Sequence, residues 1–227
     1  MGGQGGNVGT GGSMGIDASS GASGGAGRDA GMTTPDAGMP IDSGATGQAI
    51  FFDDFETGSA SRWTTNSPAD WSVVDVDGGT HVYQQSAVSN TFRVAASGSV
   101  VWADQAVEAK VNILSFGGSS TSYLAAVYAR FKDLDNHYYL AVESNTKLTI
   151  RKNSGGTNTK LTSAVDTGMT TGAWHTVKLQ AKGSTLSAYV DGVEKVTVSD
   201  TSIASGGIGL GCTNSSAQFD DVKVTIP

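Results

Sequence analysis

Between residues 128 and 151 stand five side chains that together could grip a polyhydroxylated ligand: Tyr128, Arg130, Tyr139, Glu143 and Arg151. Tyrosine ring faces pack on apolar C–H patches, while arginine and glutamate offer fixed donors and acceptors that select hydroxyls or pair with a carboxylate. The two arginines would be the natural partners of a uronate. Such a set works only if the chain presents it on one surface. The run SYLAAVYARFKDLDNHYYLAVESNTKLTIRK, Ser122 to Lys152, has the alternation that does this. Val127, Ala129 and Phe131 share one face, and Leu124, Ala126, Tyr128 and Arg130 the other. After a turn at Lys132 to Asn136, Tyr138, Leu140 and Val142 oppose Tyr139, Ala141 and Glu143. Ser144-Asn145-Thr146 turns the chain again, and Leu148 and Ile150 point inward. The pattern predicts a three-stranded antiparallel meander whose outer face carries Tyr128, Arg130, Tyr139, Glu143, Thr149 and Arg151. The plainer alternative is a solvated sheet on which Arg130 and Glu143 form a cross-strand ion pair worth ~0–1 kcal/mol.

The rest of the chain must supply the frame. Sixteen of the 32 glycines and four of the five methionines precede Ala49, and no aromatic residue occurs before Phe51. Residues 1–48 therefore lack the apolar surface to fold and read as a flexible Gly/Ser/Ala-rich tether. From residue 49 onward, short alternating segments recur with turn signals about every 8–12 residues and no amphipathic helix intervenes. Trp71 to Val76 and His81 to Gln85 flank Asp77-Gly78-Gly79 as a hairpin. Trp174 to Ala181 and Thr185 to Val190 form another, and Asp191-Gly192 turns into Glu194 to Val198. The fold expected is an all-β, two-sheet antiparallel sandwich over residues 49–227. Thr64 to Asp70 and Asn153 to Lys160 are loops without an interpretable pattern.

Charge and cysteine content exclude several functions. The net charge is −7 and the pI about 4.8, with scattered Lys and Arg, which argues against a nucleic-acid partner. Cys212 is the single cysteine, so no internal disulfide or multi-thiolate metal site can form, and its IGLGC context reads as core. No apolar run is long enough to span a bilayer.

FFDDFE at Phe51 to Glu56, Trp71-Ser-Val-Val, Val107-Glu-Ala-Lys-Val, YARFKDLDNHYYL, Trp174-His-Thr-Val-Lys-Leu, Tyr189-Val-Asp-Gly and Phe219-Asp-Asp-Val-Lys-Val occur in order along the domain. This set resembles the concanavalin A-like jelly roll and, more narrowly, the LamG-like modules associated with bacterial pectate lyases and other polysaccharide-degrading enzymes. In related jelly rolls the chain ends lie side by side and hold a structural Ca²⁺. The resemblance implies such an ion at Asp53, Glu56, Asp220 and Asp221, since a hard cation takes several oxygens at once. The alternative is simple exposed acid at strand ends.

In function, the resemblance implies a non-catalytic carbohydrate-binding module, with polysaccharide as its partner and plant or uronate-containing cell-wall glycans as candidates. A Gly-rich leader before a β-domain is similar to the spacers of bacterial surface proteins, which implies an extracellular or cell-surface location, secreted or lipid-anchored. A polysaccharide lyase or glycoside hydrolase working from the same sheet is the competing reading, and an adhesion or scaffold module the third. The Glu-x-Asp-x-x-Glu strand of laminarinase-type hydrolases is absent, and Glu56, Glu108, Glu143 and Glu194 fall on four separate segments. Arg130, His137, Tyr138 and Tyr139 are neighbours in sequence, yet the Gln-Ile-His and Tyr-Lys-x-Gly patterns of alginate lyases are missing. His175 has inward parity and is expected in the core. His81 opens a strand. Trp71 and Tyr83 either edge the ligand face or pack inside.

Overall fold

The structure is a computed structural model that describes Gly2 and residues 47–227. The flexible-tether reading of the leader falls almost entirely outside the described residues. Among the described residues sixteen strands run in order: β1 Ala49–Asp53, β2 Thr64–Thr65, β3 Trp71–Asp75, β4 His81–Gln85, β5 Arg93–Ser97, β6 Gln105–Phe116, β7 Leu124–Asp133 and β8 Asn136–Glu143. Then come β9 Lys147–Ser154, β10 Thr157–Lys160, β11 Val165–Asp166, β12 Trp174–Lys182, β13 Thr185–Val190, β14 Val193–Ser199, β15 Gly207–Thr213 and β16 Ser215–Thr225. One 3₁₀ turn, Pro68–Asp70, precedes β3.

The strands form two eight-stranded antiparallel sheets. The first runs β14-β13-β12-β6-β16-β4-β3, with β1 on β16; the second runs β10-β9-β8-β7-β15-β5-β2, with β11 on β9. This is the expected all-β jelly-roll sandwich, and the central meander is β7-β8-β9 with Tyr128 opposite Tyr139 and Tyr139 opposite Arg151. Period-2 alternation puts Val127, Tyr138, Leu140, Ile150, Leu179, Ile208 and Leu210 between the sheets. Phe55, Trp63, Trp71, Tyr83 and Phe219 close that core with ring centroids 4.8 to 6.1 Å apart along the cluster. Trp71 and Tyr83 are thus core residues and not part of the ligand face. Phe55 and Phe219, fully buried, each contribute about 1.5–3 kcal/mol from apolar area alone. Cys212 is fully buried in the same core, and its thiol is pushed up to about 12 by burial.

Strand β7 does not alternate to its end. Its pairing with β8 slips between Ala129 and Asp133, where Arg130 adopts φ of 49°. A bulge of this kind adds a residue to one strand and reverses the facing of the residues beyond it. Phe131 therefore lands on the outer face, edge-on to Tyr128 at 5.9 Å, and Arg130 leaves it. Gly206 is the complement of the bulge: a Cβ there would lie 2.2 Å from the Arg130 carbonyl carbon.

Candidate functional site

The outer face of the second sheet gathers four of the five proposed ligand residues. Tyr128 and Tyr139 stack at 5.3 Å with 22° between ring planes, and both are fully buried. Space for the Tyr128 ring comes from β15, where a Cβ on Gly211 would stand 2.9 Å from its Cε2 and 3.0 Å from its hydroxyl. The glycines of IGLGC are a cradle for a tyrosine. Asn158 on β10 donates to the Tyr139 hydroxyl at 2.5 Å, whereas the Tyr128 hydroxyl has no partner among the described residues. Burial drives the Tyr128 phenol well above its ordinary value.

Glu143 and Arg151 are bound to each other. Glu143 Oε1 accepts from Arg151 Nη2 at 2.6 Å and Thr149 Oγ1 at 3.0 Å, and lies 2.9 Å from Lys160 Nζ. Arg151 also donates from Nε to Thr149 Oγ1 and from Nη2 to the Thr121 carbonyl, at 2.9 and 2.7 Å. Burial penalises the Glu143 charge, yet Arg151, Lys160 and Thr149 together hold its carboxyl below the usual range. Glu143 Oε2 has no partner among the described residues.

Arg130 corrects the alternation. It is turned away from the face and forms no pair with Glu143. Its Nε, Nη1 and Nη2 donate to the carbonyls of Ala103, Ile203 and Gly183 at 2.8, 2.9 and 2.7 Å, with Asp104 Oδ1 at 3.5 Å. One guanidinium thereby joins β7 to the loops before β6 and β15 and to the β12–β13 turn. The physical cause is the bulge, which alternation over nearest neighbours does not register.

The acidic residues assigned to calcium each have protein partners. Asp53 accepts from the Phe55 amide at 3.1 Å and from Trp63 Nε1 at 2.9 Å. Glu56 accepts from the His81 amide at 3.1 Å, and Asp221, at a second bulge with φ of 47°, holds Lys110 Nζ at 2.6 Å. Asp220 accepts from the Asp221 amide at 2.7 Å; burial raises its carboxyl above the ordinary value. Among the described residues no three acidic, histidine or cysteine side chains converge as metal ligands. This donor set does not fit a calcium cradle. His175 stands at the domain margin and not in the core: Nδ1 lies 2.9 Å from Asp191 Oδ2, and Nε2 accepts from the Thr170 amide at 3.3 Å.

Beside the tyrosines the face opens into a trough. Three adjoining hollows of about 340, 260 and 250 Å³ line the β2–β5 edge. The largest is lined by Asn66, Phe92, Arg93, Asp135, His137 and Asn153. Asn66, Val94 and Leu134 also border the second hollow, which meets the third at Thr64, Ala96 and Phe131. His137 is 3% exposed, stacks on Phe131 at 5.4 Å and 19°, and has Nδ1 2.9 Å from the Asp133 carbonyl. Phe92 meets Tyr139 edge-on at 6.2 Å. Asn66 and Asn153 come from the two segments, Thr64 to Asp70 and Asn153 to Lys160, whose sequence carries no interpretable pattern, and Phe92 stands just before a strand, where periodicity gives no signal. His137 alone carried a signal, as an imidazole opening an aromatic strand.

Residues 51–225 match the family model described as the 3-keto-alpha-glucoside-1,2-lyase-like domain. The chain belongs to this family. The fold of the family domain is shared with the carbohydrate-binding module CBM66 from Bacillus subtilis, at TM-score 0.57 and 21% identity over 72% of this chain and 95% of that one. It is shared equally with the Bacillus licheniformis β-glucanase, at TM-score 0.55 and 15% identity over 80% and 99% of the two chains. These are concanavalin A-like jelly rolls. In sequence the family domain is 30% identical over 153 residues to an extracellular exo-alpha-L-arabinofuranosidase of Streptomyces chartreusis, covering 66% of this chain and 17% of that protein. The chain thus spans about a sixth of that relative.

Proposed function

We propose that residues 49–227 are a non-catalytic polysaccharide-binding module of an extracellular protein, with the glycan lying in the trough of the second sheet. The observation that carries this reading is the trough itself, an elongated depression with Phe92 and His137 in its wall and amide and carboxylate groups beside them. Rings that bury C–H patches together with a few convergent polar groups are what a sugar chain needs. The likeness to a carbohydrate-binding module and to glycan-cleaving enzymes supports a glycan ligand, and the extracellular relative supports secretion. Binding is favoured over hydrolysis because Glu143, the one glutamate on this face, is tied up by Arg151, Thr149 and Lys160, which hold its carboxyl ionised and so withhold it from the general-acid role. Glu108 and Glu194 lie on the first sheet.

A lyase acting from the same trough is the second reading, favoured by the family's description and by the proximity of His137 and Tyr139, 5.5 Å apart. Affinity gels of arabinan, xylan, levan, β-glucan, pectin and alginate, run beside reducing-sugar and unsaturated-product assays, separate the two. Retardation by one or more polymers without product is expected. Phe92→Ala should weaken it about tenfold, the equivalent of 1.4 kcal/mol. Product release would overturn the binding reading in favour of the lyase.

A further inference from the structure

The trough contains few charges free to meet a ligand, and their signs restrict what it can hold. Arg93 is paired with Asp70, Nε to Oδ2 at 2.5 Å. Asp133 and Asp135 lie along its wall, and Lys132 and Arg62 border its far end. Arg62 donates to the Phe52 carbonyl at 2.7 Å and lies over the Phe51 ring at 4.1 Å. Lys132 is thus the one cation of the trough with no partner among the described residues. The two arginines that would have recognised a uronate are committed elsewhere, Arg130 to three carbonyls and Arg151 to Glu143.

His137 sharpens this. Asp133 offers a carbonyl, which can only accept, so the imidazole must carry its proton on Nδ1 and present Nε2 as a lone pair. No described residue partners Nε2. The ring is buried beside the largest hollow, and that burial lowers its pKa, keeping it neutral at pH 7. Nearby, Asn153 Oδ1 is buried without a partner, its Nδ2 being spent on the Leu134 carbonyl at 2.6 Å. His137 Nε2, Asn153 Oδ1 and the Asp135 carboxylate are all acceptors. Acceptors pair with hydroxyl donors and repel carboxylates.

Building on the glycan-binding reading, we infer that the His137 end of the trough selects a neutral sugar residue, whose hydroxyls donate to His137, Asn153 and Asp135, and rejects uronates. This reverses the uronate preference that the arginines suggested from sequence.

The test uses matched polymers, polygalacturonate and its carboxyl-reduced neutral form, with arabinan, levan and alginate beside them, on the whole chain by affinity gel and titration calorimetry at about 0.15 M salt. Neutral polymers should bind at least tenfold more tightly than the uronates. Asp135→Asn should narrow that ratio at least threefold by removing repulsion. His137→Phe keeps a ring on Phe131 and should lose at least tenfold in affinity for the neutral polymer. Preference for polygalacturonate over its reduced form would overturn this inference and leave the binding module standing. Unchanged discrimination in Asp135→Asn, or unchanged affinity in a folded His137→Phe, would overturn it as well. Binding to none of the polymers would remove both.

Discussion

Removing the Arg130 guanidinium should cost stability and not ligand affinity, the reverse of what its place in the sequence suggests. The group is 2% exposed and donates three bonds of 2.7 to 2.9 Å to main-chain carbonyls on three separate segments. Arg130→Ala leaves those acceptors without their donor. At about 1 kcal/mol net for each bond, the loss is about 3 kcal/mol. A domain of this size loses roughly 2–4 °C of melting temperature per kcal/mol, so a fall of about 6–12 °C is expected. Arg130→Lys keeps the charge but not the three-pronged planar geometry, and should recover only a minor part. Urea denaturation monitored by Trp fluorescence gives the free-energy change, provided the m-value is unchanged. Glycan retardation, measured well below the variant's melting point, should equal that of the parent. A variant of full stability that has lost retardation would refute the clamp and return Arg130 to the ligand face.

The geometry sets three further outcomes. Gly211→Ala should destabilise by about 1–3 kcal/mol in the same denaturation assay, because a Cβ there meets both the Tyr128 ring and the Arg93 carbonyl at 2.9 Å. Asp200 takes up Lys152 Nζ and the Tyr138 hydroxyl, both at 2.6 Å; although burial opposes its charge, these bonds hold its carboxyl well below the ordinary 3.8. A carboxyl depressed in the folded state stabilises above its unfolded value, and the contribution disappears as pH falls through the folded one. The melting temperature should therefore drop as pH falls below about 4, and Lys152→Met should flatten that acid limb while lowering stability at neutral pH; an unaltered limb would exclude Asp200 as its source. For the calcium expectation, EDTA should move the melting temperature by less than about 1 °C, since Asp53, Glu56 and Asp221 are already satisfied within the protein. A larger fall, reversed by Ca²⁺, would establish the ion.

Alternation in β7 up to Ala129, and through β8 and β9, is enough to put Tyr128, Tyr139, Glu143 and Arg151 on one side of a sheet, because the pleat alone fixes that choice. The hairpins around Gly78 and Gly192, the all-β class and the buried cysteine were legible for the same reason: each depends on residues close in the chain. Arg130 was not, since its bulge is stabilised by carbonyls from distant loops and by the missing side chain of Gly206. Nor was the trough, whose wall joins Asn66 and Phe92 beside β2 and β5 to Asp135 and His137 of the β7–β8 hairpin and Asn153 near the end of β9. Whether the Glu143 carboxylate faces water or a buried arginine likewise depended on Lys160 reaching it from β10 and on the Thr121 carbonyl holding Arg151 in place. Sequence by itself determined which residues share a pleat wherever a strand runs without a bulge. Only the packing of remote segments decided which of them are left free to meet a ligand.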